Sequence, residues 1–491
     1  MQTNKSKIWI IAILFVVLLA GGLTLALYPI VKERFVAKET TKVDVNETTF
    51  AKYSEDEIFK SVPAMEVKDT QVGESYQYGF NSYTIHVSGT SLEDYQAYLK
   101  TLEKGGFKKY ADNGKDGMEG YVYNTSFTKD NLTLSVYHIV KFNTTYITVG
   151  DKGGYSEHLK YQDSYMAGAT ANSKNKVHLF ELSDNGNAYI IELKNGHFIV
   201  EDGGNEVDAP YLLDYLESLT PGDEKPVIEA WFITHAHGDH SGAIKKIMVD
   251  QTAVDRLIVN GIYFVDPGRE VQEKVFMDTS LNSMIWFTMN SATAFKGEGG
   301  KDCQLYRPTL GEKYYFGDIE IDIALTMDQI MDVAYYEADF NDTSTWLMHY
   351  IDGQTFLHAG DAAETTTQMA MDFYDKEYFD IDVFSVLHHG INVYDFFTDY
   401  CTLDVVLYTN RTTASLYIDT SVARFEENAH LRESAQECLA HGNGTVVLTF
   451  PYVKGTSETK PPCDWRYNDG ERPHLIWDVI GGRKAGEEDE K

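Results

Sequence analysis

At 491 residues the chain exceeds one ordinary domain core, so two domains with a tail or an anchor are expected. A hydrophobic content of 43% with only 11 prolines fits folded globular matter. The formal charge of −33, from 75 acidic against 42 basic residues, makes the surface repel nucleic acid and anionic lipid. A polyanionic substrate would therefore need a locally basic or metal-centred site; by default the acidity serves solubility.

Residues 8–31 are 24 positions without a charge. As a helix they reach about 36 Å, enough to cross a hydrocarbon core of roughly 30 Å. A cleaved signal peptide competes with this reading, because Lys5 and Lys7 form a short basic region. The apolar stretch is longer than a signal core, however, and no A-x-A site follows it. Lys32, Arg34 and Lys38 balance Lys5 and Lys7, so the basic residues do not set an orientation. The expectation is a single-pass signal anchor in the cell membrane, with the large domain extracytoplasmic.

Residues 32–61 read as a polar tether, with Asp44, Glu47, Glu55, Asp56 and Glu57. A small α+β domain is expected over 62–152. Tyr83–Val87 alternates like a strand, and Ser91-Leu92-Glu93-Asp94 is a capping-box signal. Leu92, Tyr95, Leu99 and Leu102 recur at helical spacing, and Gly105-Gly106 ends the helix. Leu132–Tyr137 and Thr145–Val149 supply further strands. His86 and His138 fall inside strand patterns and read as packing residues.

A second domain is expected over 170–482. Val177–Leu182, Ala188–Leu193 and His197–Gly204 are strand patterns joined at Asn185-Gly186-Asn187 and Asn195-Gly196. The third ends in Asp202-Gly203-Gly204. The apolar run Val227–Ile233 then leads into Thr234-His235-Ala236-His237-Gly238-Asp239-His240-Ser241-Gly242. Three imidazoles and a carboxylate within six residues are the nitrogen and oxygen donors that zinc takes. Their expected setting is a tight loop, with a helix beginning at Gly242-Ala243-Ile244. A solvated His-rich turn is the bland alternative, but a buried strand fixes these residues inside a fold. Further on, Phe356-Leu357-His358-Ala359-Gly360-Asp361 and Phe384-Ser385-Val386-Leu387-His388-His389-Gly390 repeat the pattern of a strand that stops at polar groups. His349 and His358 alternate within strands and read as structural. Gly442–Phe450 is a plausible last strand, and residues 483–491 form an acidic tail. The four cysteines, Cys303, Cys401, Cys438 and Cys463, show no C-x-x-C spacing, so they form neither a zinc ribbon nor a redox motif.

The H-x-H-x-D-H pattern, followed by G-D and H-H-G at strand ends, resembles the metallo-β-lactamase superfamily of metal-dependent hydrolases. The combination with Asn341-Asp342-Thr343-Ser344 is similar to the branch that includes the hydrolase domain of bacterial DNA-uptake channel proteins. The resemblance implies a four-layer αββα sandwich over roughly Val177 to Tyr452, carrying zinc at one edge. Two divalent ions are implied, with manganese as the other candidate. It implies His235 and His237 as ligands of one ion. Asp239, His240, Asp361 and His388 fall to its neighbour, with Asp361 bridging and His389 as a further ligand or a proton donor. Asp202 is expected to orient the ligands from behind. No histidine occurs between His240 and His349, where the third ligand of the first ion is usual. Asn341 or Asp342 could coordinate there or hold a water, or form a capping turn.

The expected function is metal-assisted hydrolysis, with Asp239 and His389 as catalytic residues. The substrate is a small phosphodiester or other ester, including cell-envelope material; long nucleic acid is disfavoured by the net charge. Acyl hydrolysis of lactams or lactones is the alternative, and a non-catalytic membrane-tethered binding protein is the rival of a different class. Protease shaving of intact cells tests the topology: the C-terminal domain should be degraded, and its protection would contradict the expected orientation.

Overall fold

The computed structural model describes residues 57–460, apart from 69, 74–75, 114–116, 152–153, 269–270, 272–293, 332–339, 411–424 and 443. The expected membrane segment, most of the tether and the acidic tail lie outside the described residues. Among the described residues no helix is long and apolar enough to cross a membrane.

The first sheet is antiparallel, in the order β1 (Gln71–Val72), β3 (Ser82–Ser88), β7 (Thr144–Gly150), β6 (Leu132–Ile139), β5 (Val122–Lys129), β4 (Lys108–Asp112), with β2 (Tyr76–Tyr78) beside β3. Helix α1 (Leu92–Lys104) opens with the capping box anticipated at Ser91 and Asp94. It buries Tyr95, Tyr98 and Leu102 against Ile85, Phe127, Val136 and Ile147. His138 is buried, within 3.0 Å of Thr145 Oγ1 and stacked on Tyr95. The opposite face of this sheet carries Val122, Tyr137, Ile139 and Tyr146, which join the core of the second domain with Leu325, Met327 and Ile330. Asn124 Nδ2 donates to the Leu310 carbonyl at 2.8 Å across that junction.

Two further sheets form the sandwich. One runs β14 (Gln304–Tyr306), β13 (Gly261–Phe264), β11 (Val227–Ile233), β10 (Phe198–Asp202), β9 (Ala188–Glu192), β8 (Lys176–Leu179), β22 (Val446–Thr449), β23 (Glu458–Thr459), with β12 (Ile258–Val259) beside β11. The other runs β15 (Lys313–Phe316), β16 (Ile319–Leu325), β17 (Trp346–Ile351), β18 (Gln354–His358), β19 (Asp380–Ser385), β20 (Thr402–Tyr408), β21 (Glu437–Ala440). Successive side chains of a strand point to opposite faces, and here both faces are covered. In β9, Tyr189 and Ile191 face the inter-sheet layer with Ile321, Leu347 and Phe356, while Ala188 and Ile190 face outward. Helices α2 (Ala209–Leu219) and α3 (Gly238–Met248) cover the outer side through Leu212, Leu216, Ile244 and Ile247. Further along, α4 (Gln251–Val254) follows. On the other sheet, α5 (Glu364–Phe373) and α6 (Asp395–Tyr400) place Ala370, Phe373 and Phe397 against Trp346 and Phe384. The result is the αββα layering.

A bulge and a buried polar cluster fix these strands in place. The pairing of β10 with β11 shifts register, with Phe198 opposite Ile228 but Ile199 opposite Ala230, so Glu229 is a bulged residue. Ile228 faces outward and Ala230 inward, so the bulge sets the phase in which β11 runs on to His235. In the inter-sheet layer Glu201 is fully buried. It accepts from His349 Nε2 on one carboxylate oxygen and lies 2.8 Å from His358 Nδ1 on the other. Burial alone would raise this carboxyl, but His349 and then His358 outweigh burial and hold it at about 2. The two histidines thus serve the fold, clamping one sheet to the other. Replacing Glu201 by Ala leaves two buried imidazoles without their carboxylate and should cost about 3–5 kcal/mol of stability. Urea unfolding followed by circular dichroism measures this, and an unchanged midpoint would contradict the clamp.

Candidate metal centre

β10 and β11 run parallel, as do β18 and β19, and the four strands deliver their carboxyl ends to one edge of the sandwich. Such edges are where ligands bind in parallel sheets. Asp202 closes β10 in a left-handed conformation, φ +56. Its Oδ1 accepts from Thr234 N at 2.8 Å, and its Oδ2 accepts from Thr234 Oγ1 at 2.8 Å. His240 Nδ1 lies 2.7 Å from the same Oδ2. A carboxylate can only accept, so Nδ1 carries the hydrogen and the Nε2 lone pair is turned towards the centre.

The His-rich stretch is not the loop that the sequence suggests. α3 begins at Gly238, four residues earlier than expected, and His237 is its N-cap residue with φ −64 and ψ 156. His240 N and Ser241 N both donate to the His237 carbonyl, at 3.2 and 2.9 Å. Asp239 and His240 therefore ride on the first helical turn, where the exposed N–H groups favour an acidic side chain. Gly242 lets this turn approach the backbone of Asn205 and Glu206; a Cβ there would sit 2.6 Å from Glu206 N.

Asp361 is the meeting point. Its side chain is 1% exposed. Oδ1 lies 3.1 Å from His240 Nε2 and accepts from Asn187 Nδ2 at 3.3 Å. Oδ2 lies 3.3 Å from His389 Nε2, 3.5 Å from His388 Nε2 and 3.9 Å from His235 Nε2. The preceding Gly360 has φ +53, and a Cβ there would stand 2.8 Å from Thr234 Oγ1 and 2.9 Å from Ser344 Oγ. Only glycine admits that approach. Ser344 Oγ accepts from Asp361 N at 3.1 Å and reaches His235 Nδ1 at 3.3 Å.

After β19 both His388 and His389 adopt left-handed backbone conformations, φ +47 and +55. Each costs about 1–3 kcal/mol in isolation and persists only when its surroundings impose it. Here His388 N donates to the Gly360 carbonyl at 3.2 Å, and Asn410 Nδ2 donates to the His389 carbonyl at 2.8 Å. The turn reverses the expected order of the two rings. His389 is buried, its Nδ1 lies 2.9 Å from Thr409 Oγ1, and its Nε2 lies 3.2 Å from Asp239 Oδ2. The side chain of His388 keeps 21% exposure and stands beside that group rather than in it.

Two sets of converging donor atoms result: Asp239, His240, Asp361 and His389 in one, and His235, His237 and Asp361 in the other, each within 4.8 Å. His235 Nε2 and His237 Nδ1 are 2.9 Å apart. Donors around one four-coordinate zinc at about 2.1 Å lie roughly 3.4 Å apart, the spacing seen here. His240 Nε2 and His389 Nε2 are buried without a hydrogen-bond partner, which a bound cation would satisfy. The residues thus fit zinc in both positions, with Asp361 shared. Asp342 takes the capping role: its Oδ1 accepts from Thr366 N at 3.0 Å and from Thr366 Oγ1 at 2.7 Å, at the start of α5. Asn341 lies buried in the same turn. Asn187, Thr234, Ser344 and Thr409 were not singled out by the sequence. Ser344 alone carried a signal, as the last residue of N-x-x-S.

The electrostatics divide the site. Burial, then His240, holds His235 and His237 below the ordinary imidazole range. Burial would also lower His240, but Asp361, Asp202 and Asp239 outweigh it and raise the group. Burial opposes His389 too, yet Asp361 and Asp239 push it up to about 9. For Asp361 burial is overcome by His240, His389 and His388, and for Asp239 by His240 and His389; both carboxyls stay below their usual range.

The family profile described as the Metallo-beta-lactamase superfamily matches residues 183–393, a span that holds every converging ligand. Among solved structures the chain is similar to a Cronobacter sakazakii metallo-β-lactamase with a HARLDQ motif, at 12% identity and TM-score 0.27, over 52% of this chain and 91% of that one. It is also similar to a subclass B3 metallo-β-lactamase from a soil metagenome library, at 9% and 0.26, over 54% and 91%. A metal-dependent hydrolase of the β-lactamase superfamily matches at 12% and 0.29, over 54% and 95%. No curated protein matches.

Zinc needs a neutral imidazole, and in the metal-free protein His389 carries a proton below about pH 9. Zinc uptake should therefore release protons at pH 7, and affinity should rise with pH up to about 9. Calorimetric titration in buffers of different ionisation enthalpy measures the release; none would contradict this electrostatic picture.

Proposed function

We propose that the protein is a membrane-anchored metallo-hydrolase whose preferred substrate is a small or envelope-linked phosphodiester. The observation that carries the reading is the single buried carboxylate, Asp361, facing ligand atoms of both donor sets. Bound zinc supplies hydroxide at neutral pH and a Lewis acid for an acyl or phosphoryl oxygen. The chain's own residues do the rest. His235 and His237 present nitrogens from the end of β11 and the cap of α3. Asp202 and Thr409 fix the ring orientations of His240 and His389, so that each keeps its Nε2 towards the centre. Asp239, with a side chain 32% exposed, is the group we assign to orient and deprotonate the attacking water. His389 is anchored too deeply for proton exchange with a leaving group, and we assign that role to His388 at the rim.

The phosphodiester preference rests on the likeness of the N-x-x-S, G-D and H-H-G motifs to the DNA-uptake branch, and the charge of −33 favours a small substrate over long nucleic acid. Lactams and lactones are the second substrate class. The absence of a third histidine for the His235 and His237 position motivates the rival reading, a tethered binding protein without catalysis. Anchoring is proposed for residues 8–31, from their uninterrupted apolar character.

Replacing Asp239 by Ala should lower kcat/KM on bis(p-nitrophenyl) phosphate by more than about 100-fold, because Asp239 is itself one of the converging donors and its loss exceeds the roughly 10–100-fold cost of an outer-shell partner. Undiminished turnover in a folded D239A protein would refute the assignment. A zinc-loaded protein inactive on phosphodiesters, lactams and lactones alike would favour the rival.

A further inference from the structure

A second group of metal-ligating side chains lies at the opposite ends of the same two strands. His197 immediately precedes β10, Glu229 is the bulged residue of β11, and Glu298 belongs to the short turn Glu298–Gly300. One donor atom from each lies within 4.8 Å of the others. His197 Nδ1 lies 2.5 Å from Glu229 Oε1. Asn260 holds the two carboxylates together: its Nδ2 donates to Glu229 Oε2 at 2.6 Å and to Glu298 Oε2 at 3.2 Å, while its Oδ1 accepts from Glu298 N at 2.8 Å. Two carboxylates drawn together on a chain of net charge −33 repel each other, and one imidazole offsets only part of that repulsion.

A further histidine lies close by. His158 lies in the connector between the small domain and β8, with its side chain only 9% exposed and its ring packed on Tyr165 and Phe316. Its Nδ1 is 2.8 Å from the Tyr315 carbonyl oxygen, which can only accept, so Nδ1 carries the hydrogen. In the neutral ring the Nε2 lone pair then faces Glu229 Oε2 from 3.8 Å, beyond hydrogen-bonding reach. His158 thus stands beside the group of three converging donors rather than in it.

We propose that His197, Glu229 and Glu298 form a site for a divalent cation of the zinc class. One imidazole and two carboxylates are donors that zinc takes. From His197 to Asp202 is five residues of extended chain, about 17 Å at roughly 3.3 Å per residue, so this site is separate from the catalytic cluster. The ion would tie the start of β10 and the bulge of β11 to the turn at Glu298. It would also hold the bulge that phases β11 towards His235.

The full chain, stripped with chelator, reloaded with zinc and freed of excess, is assayed for bound zinc by plasma mass spectrometry. E229Q in the otherwise wild-type chain should lower the zinc content by one equivalent. In a D361A background, which lacks the ligand shared by the two catalytic positions, one equivalent should remain and should disappear on adding H197A or E229Q. Cobalt in the D361A chain should give the visible absorption of a four-coordinate ion, lost with E229Q. Zinc content unchanged by both H197A and E229Q overturns the proposal, as does a D361A chain that keeps its circular dichroism yet binds no zinc. If the catalytic cluster holds no metal, the wild-type and D361A counts are equal, an outcome separate from failure of this site.

Discussion

The donor-bearing edge of the sandwich depends on one buried anion. Asp361 lies at the end of an apolar strand with almost no access to water, and an isolated carboxylate there would be costly. Four imidazoles stand within 3.9 Å of its two oxygens, brought by α3, β11 and the turn after β19. Such convergence of ionisable groups is hard to account for as a stability device, since a packed apolar cluster would cost less. It is readily understood as a cradle for cations, in which the carboxylate balances charge between two positions and each ring keeps a nitrogen turned inward.

Behind that cradle the polar contacts continue inward. His240 leans on Asp202, and His358 Nε2 approaches Asp202 Oδ2 to 3.8 Å while its Nδ1 faces Glu201. Glu201 in turn engages His349 from the opposing sheet. The histidines of this chain thus serve two purposes. Those at strand ends face the open edge, while those within β17 and β18 tie the sheets together directly beneath it.

Much of this is legible in the sequence, for a physical reason. A buried strand needs an unbroken apolar run, so a run that stops abruptly at His, Asp or Gly-Asp marks both the strand and the group it delivers. Val227–Ile233 matches β11 residue for residue, and the capping box at Ser91 starts α1 as anticipated. What the sequence hides are choices made by backbone torsion and by distant partners. Nothing in His388-His389 says which ring turns inward, because two successive left-handed residues decide it. Nothing at Asp342 reveals Thr366, its partner 24 positions later. The helix start at Gly238 is concealed because the residues that cap and open it are also the ones that read as ligands.

The central claim is that Asp361 is shared between two metal positions. Crystals of the zinc-loaded chain, with anomalous diffraction recorded on both sides of the zinc absorption edge, address it directly. Two anomalous peaks are expected about 3.5 Å apart flanking Asp361, one beside Asp239, His240 and His389 and the other beside His235 and His237. A fully loaded protein with no peak in contact with Asp361, or with one peak remote from His389, would contradict it.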